Sequence, residues 1–335
     1  MGNDVADGLE DERPSEGRAE ADAEAELRRA LADLRGNIRT RFPVEPAPRP
    51  DESGGPAVDL EGLWNSARRR LGTIGMSEHS ADVDEFGMDA EALRRIQPLL
   101  DFLAERFWRV EARGLEHLPA EGPCLLVANR AGLLPWDGLM LAHVLQRARP
   151  DRERPRFLVA DSGLQWPFVH ATIAQLGGVR ACRENAERLL ASGRIAIAFP
   201  EGAHGATKAW PDRYHLQRFE RDGVVRLALA SGAPLIPVGI VGAEEVHPLM
   251  AKIKGPARRV GLPFVPVTPT FPLLGLLGLL PLPSKWVMWI GEPVSLEHLE
   301  ADADPLAIAR EDEAVRSRID ELVKRALARR ESIWT

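Results

Sequence analysis

The chain has 335 residues with 43 Lys+Arg against 50 Asp+Glu, a net charge of −7, 44% apolar residues and two cysteines. That length leaves ample material for a core, as two or three domains or as one large domain with an appendage, and the missing basic surplus argues against a general nucleic-acid binder. Cys124 and Cys182 alone make neither a disulfide framework nor a zinc site, so a reducing cytoplasm fits best.

The charge is unevenly placed. Residues 1–35 contain eleven acids and five arginines, a net −6, which leaves about −1 for the other 300 residues. Residues 1–19 read as disordered, being acidic and poor in large apolar groups. Leu27, Leu31, Leu34 and Ile38 recur at helical spacing. A linker follows over 42–56, with five prolines and a Gly-Gly pair. A second short helical pattern, 58–71, carries Leu60, Leu63, Trp64 and Leu71 beside the run Arg68-Arg69-Arg70; it docks on the main domain, pairs with a protein partner, or touches anionic lipid. Residues 1–81 are therefore read as an acidic, partly disordered extension with short helices. The acidic start has no basic n-region or apolar run of a secretory signal.

The main domain is read as 82–335. A long helical pattern spans 88–109. Strand-like runs at 124–128, 157–160, 195–199, 235–241 and 286–290 then alternate with helical stretches near 137–147, 184–192, 219–231 and 305–330. Such alternation predicts an α/β layered domain with a largely buried sheet.

Residues 260–284 carry no charge and are long enough by count to cross a bilayer. Six prolines, at 263, 266, 269, 272, 281 and 283, block a continuous helix, and open backbone in lipid leaves polar groups unpaired. The apolar centre, Phe271 to Leu280, is expected either to rest on a membrane or to form a buried loop with a short core helix.

Three segments put Gly, polar and charged residues directly after a predicted strand, where open α/β sheets build ligand sites. They are Asn129-Arg130-Ala131-Gly132 with Asp137-Gly138; Gly177-Gly178-Val179-Arg180 with Arg183-Glu184-Asn185; and Phe199-Pro200-Glu201-Gly202 with His204. With Arg109 to Glu116 before them, and Pro234 to Glu245, Thr268 to Pro272 and Leu280 to Pro283 after them, these blocks resemble the PlsC-type glycerolipid acyltransferases, in particular the diacylglycerol/monoacylglycerol acyltransferase-like branch. The resemblance covers some 60% of the chain, from Val83 to Pro293.

The resemblance implies a glycerol-3-phosphate acyltransferase-like fold, a layered mixed β-sheet flanked by helices, and acyl transfer from acyl-CoA or acyl-carrier protein to a hydroxyl of a lipid-like acceptor at a membrane surface, with no permanently bound cofactor and no metal. It also implies a peripheral position on the inner face of the membrane. In the family a histidine takes the hydroxyl proton and a following aspartate orients it. Here the histidine position holds Arg130, with six residues between it and Asp137 rather than the superfamily's four, a spacing the resemblance associates with this branch. A guanidinium stays protonated and cannot be that base. His204 is the tentative replacement, and a catalytically silent lipid or acyl-CoA binder is the alternative. Asn129, Arg183, Asn185, Glu201 and Gly202 are the expected substrate-binding residues.

Each has a plainer reading beside it. Asp137 could cap a helix, Arg183 could pair with Glu184 or Glu187, and Glu201 could be a turn residue, although a carboxylate between Pro and Gly has little evident structural work. Cys182 stands where relatives are expected to have serine. His247 and the remaining histidines show no metal spacing and read as ordinary, and Cys124 reads as core.

Overall fold

The computed structural model describes residues 83–160, 169–219, 223–254, 264–300 and 303–334. All of them fall in one unit, Gly62–Thr335. The expectations for residues 1–81 lie outside the described residues.

Strand β2 (Cys124–Ala128) is buried along its whole length, as its unbroken apolar run requires of a central strand. Around it a seven-stranded sheet forms in the order β1-β9-β6-β2-β5-β3-β4. The strands are β1 (Glu111–Arg113), β3 (Arg156–Val159), β4 (Gly178–Arg180), β5 (Ile195–Ala198), β6 (Leu235–Val241) and β9 (Val287–Ile290). β6, β2, β5, β3 and β4 run parallel; β9 turns antiparallel to β6, and β1 runs parallel to β9. Strands β7 (Ala251–Ile253) and β8 (Val265–Val267) make a separate antiparallel pair. The α/β reading holds, as a mixed and mostly parallel sheet between helices.

Alternation along the strands separates two apolar layers. Cys124, Leu126 and Ala128 face a core shared with α1 (Ala90–Phe102) and α2 (Trp136–Ala148), whereas Leu125 and Val127 face α4 (Arg183–Ala191), α6 (Val224–Ser231) and α7 (Pro305–Arg329). In the first layer Trp108 stacks on Trp286 at 4.8 Å and meets Trp136 edge-on at 5.3 Å. Burial pushes the Cys124 thiol up to about 12, as expected of a core cysteine.

Several boundaries move. The helix expected over 88–109 is α1, capped by the Asp89 carboxylate, followed by a π-helical turn at Leu103–Phe107. It stops before Arg109, whose φ of 45° leaves the helical region. The helix expected from 219 starts at Val224. Strands β1 and β4 and helix α3 (Val169–Gln175) went unread, because elements of three to seven residues show too little periodicity. No helix among the described residues is long and apolar enough to cross a membrane.

The parallel run decides where chemistry can sit. β2, β5 and β6 are adjacent and point the same way, so the segments that follow them converge at one end of the sheet. α7 closes the opposite layer over β6, and Gly239 permits that contact: a Cβ there would lie 2.7 Å from the backbone of Leu322 and Val323. Gly239→Ala is expected to cost about 1–3 kcal/mol of unfolding free energy through overpacking, measured by denaturant titration.

Candidate active site

The three convergent segments are tied together by buried polar groups. Asn129 leaves the end of β2 with its amide committed to β6: Nδ2 donates to the Ile240 carbonyl at 2.9 Å, and Oδ1 accepts from the Ile240 N–H at 2.7 Å. Asn129 therefore stitches the two strands where the ladder ends. Both ends of its amide are engaged in that bridge, and the residue is 1% exposed.

Arg130 is 7% exposed. Its Nη1 forms an ion pair with Asp137 Oδ1, and its guanidinium lies 5.2 Å over the Phe199 ring. Asp137 is wholly buried and also accepts from the Ala131 N–H at 2.9 Å and the Gly138 N–H at 2.8 Å. Burial pushes its carboxyl above the usual range, opposed by Arg130 and by these amides. Asp137 is not the helix cap, a position Pro135 holds without a side-chain bond. It stands in the first turn of α2 and reaches back to fold the 130–137 loop around itself.

Glu201, wholly buried after β5, has the structural work that reading the sequence denied it. Oε1 accepts from the Arg130 N–H at 2.7 Å, while Oε2 accepts from the Gln217 N–H at 2.6 Å and lies 3.2 Å from Lys208 Nζ. It organises the loop, and both its oxygens are in use. The Gly202 N–H is likewise taken, by the Phe199 carbonyl at 3.0 Å.

Lys208 also meets Glu244 Oε1 at 2.7 Å, at the end of β6. Burial depresses the Lys208 ammonium, but Glu244 and Glu201 outweigh it, so its pKa is raised and the ammonium is no base. Burial raises both carboxylates, with Lys208 opposing. Neither Lys208 nor Glu244 was singled out in the sequence, since only the fold brings residues 201, 208 and 244 together.

The short helix α5 (Gly202–Ala206) carries the exposed His204. Its Gly205 presses on the site: a Cβ there would sit 2.6 Å from the Cβ atoms of both Arg130 and Glu201. A cleft of about 10 Å³, room for roughly one water, is bounded by Gly132, Gly205, Lys208, Trp210, Glu244 and His247. His247 is buried, and Nε2 lies 2.9 Å from the Leu279 carbonyl. A carbonyl only accepts, so Nε2 carries the proton. Burial lowers the pKa of this imidazole, leaving Nδ1 as a lone-pair nitrogen when the ring is neutral. No motif announced this histidine.

Arg183 and Asn185 are not drawn into this cluster. They follow β4, the edge strand three places from β2, about 15 Å across the sheet. Arg183 is exposed and pairs with Glu187 Oε1 at 2.6 Å, and Asn185 donates to the Arg180 carbonyl at 3.1 Å. The plainer reading of Arg183 describes its contacts. Cys182 occupies the N-cap position of α4, where a serine hydroxyl would be the stronger cap.

A second cavity, about 380 Å³, lies against the same loop. Leu134, Pro135, Trp136 and Leu139 form one wall, and Ile96, Leu99, Ile173 and Leu176 form others. Its size falls in the range of ligand pockets, and its lining is almost wholly apolar. No group of three or more His, Cys, Asp or Glu placed to hold a metal occurs among the described residues.

The sequence profile of the Acyltransferase family matches residues 109–241, the span that holds Arg130, Asp137 and Glu201. Proteins described as uncharacterized from Mycobacterium tuberculosis and Mycobacterium bovis are 43% identical over 255 residues, covering 75% of this chain and 71% of theirs. Phytyl ester synthase 2 of Arabidopsis thaliana is 27% identical over 147 residues, 40% of this chain and 20% of that one. The crystal structure of the 1-acyl-sn-glycerophosphate acyltransferase PlsC from Thermotoga maritima superposes with a TM-score of 0.45 at 19% identity, covering 81% of this chain and 90% of that one.

Removing one partner of a buried ion pair strands the other charge. Arg130→Met is therefore expected to cost about 3–5 kcal/mol, and adding Asp137→Leu to it is expected to restore much of the loss. Chemical unfolding of the two single variants and the double variant measures this directly.

Proposed function

Because the chain belongs to the PlsC-type acyltransferase family, we propose that it moves a fatty acyl group from acyl-CoA or acyl-carrier protein to a hydroxyl of a glycerolipid or other lipophilic alcohol, at the inner face of the cytoplasmic membrane. The observation that carries the finer reading is the apolar cavity of about 380 Å³ walled by Leu134, Pro135 and Trp136, the last three residues before Asp137. A hydrocarbon chain in it would lead to the loop that bears the charged pair. The likeness to a phytyl ester synthase supports a lipophilic alcohol as acceptor.

In this reaction the acceptor oxygen bonds to the thioester carbonyl carbon, the C–S bond breaks, and the hydroxyl proton ends on the departing thiol. Arg130 cannot carry that proton. It can supply positive charge to the developing oxyanion or to a phosphate of donor or acceptor, a role that needs a fixed and dry cation. Its hold on Asp137 and its seat against Phe199 and Gly205 fit such a role. The proton needs a base, and His204 on α5 and His247 in the cleft are two imidazoles that could serve.

A silent relative that binds lipid or acyl-CoA as a sensor is the second reading. One observation favours it: Asp137, which in the family orients a histidine, here spends its carboxylate on the arginine.

The deciding measurement is acyl transfer from labelled acyl-CoA and acyl-carrier protein to a panel of lipophilic alcohols and glycerolipids. Turnover by the natural protein is expected, and turnover confined to Arg130→His would establish the sensor reading instead. Replacing the histidine that receives the proton by glutamine is expected to lower kcat by about 10²–10⁴, which His204→Gln and His247→Gln distinguish. Ile96→Trp, which narrows the apolar cavity, is expected to shift preference toward shorter acyl donors in the same assay.

A further inference from the structure

From Val246 to Gly291 the chain contains no Asp or Glu, although the whole molecule has a net charge of −7. Within it, residues 250–254 and 264–280 include exposed apolar side chains on a backbone held by hydrogen bonds. Met250 donates its N–H to the Val267 carbonyl at 2.8 Å, which sets the β7–β8 pair beside the turn that follows it. Thr270 Oγ1 donates to the Gly278 carbonyl at 2.9 Å, and the Phe271 N–H donates to Thr268 Oγ1 at 2.9 Å, so the turn closes on the short 3₁₀ helix Gly275–Leu279. Trp108 Nε1 donates to the Leu282 carbonyl at 3.1 Å and anchors the far end in the core.

This frame holds large apolar side chains out of the protein. Leu273 is 85% exposed, Leu277 70%, Leu280 61% and Leu274 55%; Met250 and Ile253 of the adjoining hairpin are exposed as well. Burying them inside was within reach of a chain with this much core, so a ridge of leucines fixed by backbone bonds calls for an apolar environment. Lys252 and Lys254 stand exposed beside it, with Lys252 Nζ 5.7 Å over the Phe264 ring. Its stem thus lies along apolar surface, as in lysines that reach from hydrocarbon to headgroups.

We propose that this ridge, Leu273, Leu274, Leu277 and Leu280 with Lys252 and Lys254, docks the protein on an anionic lipid bilayer. Leucines without a single acidic neighbour in sequence, flanked by lysines, match a hydrocarbon boundary under negative headgroups. The ridge also adjoins the site. His247 bonds to Leu279, and Leu249 and Phe264 pack on Leu133 of the 130–137 loop. A hydroxyl held at headgroup depth would face the cleft. The proposal deepens the acyl-transfer reading by naming the surface that delivers the acceptor, and its readout is binding, so either can fail alone.

The test is flotation of the full-length protein with vesicles of phosphatidylcholine mixed with phosphatidylglycerol, and with vesicles of phosphatidylcholine alone. Binding is expected to favour the mixed vesicles and to weaken as salt is raised. The double variant Leu273→Glu/Leu277→Glu should partition at least about tenfold more weakly, and Lys252→Glu/Lys254→Glu should lose the preference for the anionic vesicles. Leu306→Glu, at an exposed leucine opening α7, should bind like the natural protein. Thermal unfolding and sedimentation of each variant show whether it is folded and in what state of association. Absence of flotation overturns the proposal. So does undiminished flotation of the folded leucine variant, an equal loss in Leu306→Glu, or a dimer of the natural protein that the leucine variant dissociates while vesicle binding is unchanged.

Discussion

Buried charge must be answered, and in this protein the answer is a loop wrapped around Asp137. Its carboxylate is out of water at the end of a five-strand parallel run, and it is met by the Arg130 guanidinium and by two backbone amides. Glu201 meets the same loop from the next strand through the Arg130 N–H. The isolated cost of burying either carboxylate is several kcal/mol after relaxation, so neither can be tolerated unless the segments after β2 and β5 adopt this one arrangement. The pairing thereby sets the position of Leu134, Pro135 and Trp136, and with them one wall of the apolar cavity.

The rest of the fold serves that constraint. Parallel pairing of β6, β2 and β5 places three chain segments at one end of the sheet. Asn129 carries the ladder past its last strand residue into Ile240, and Lys208 spans the gap between Glu201 and Glu244. Gly205 brings α5 against the arginine because it has no side chain to hold it off. Arg130 is thus not a loose surface residue: its aliphatic part, its charge and its main-chain N–H are each engaged.

The larger elements were legible because they are long and buried. β2 and β6 match their expected limits, and α2, α4 and α7 differ by about one residue, since continuous apolar runs and helical periodicity carry through five or more residues. The family was legible for a related reason: its blocks follow strands, and strand order is written into the sequence. The site was legible only in part. Arg130, Asp137 and Glu201 do converge, yet Glu201 and Gly202 proved to be spent on the loop itself, and Arg183 and Asn185 proved to belong to the sheet edge.

From its sequence alone this protein had an α/β sheet, an arginine that the resemblance sets where a base is expected, and an uncharged stretch that its prolines keep from forming one continuous helix. Those follow from local properties: hydrophobic period, the fixed protonation of a guanidinium, and the missing N–H of proline. Only the tertiary structure decided what depends on separation in space. It paired Arg130 with Asp137, joined Lys208 to two distant carboxylates, set His247 beside the loop, and turned Leu273, Leu274, Leu277 and Leu280 outward. Sequence period tells which face of an element is apolar; whether that face meets a core or the outside is settled by what packs against it.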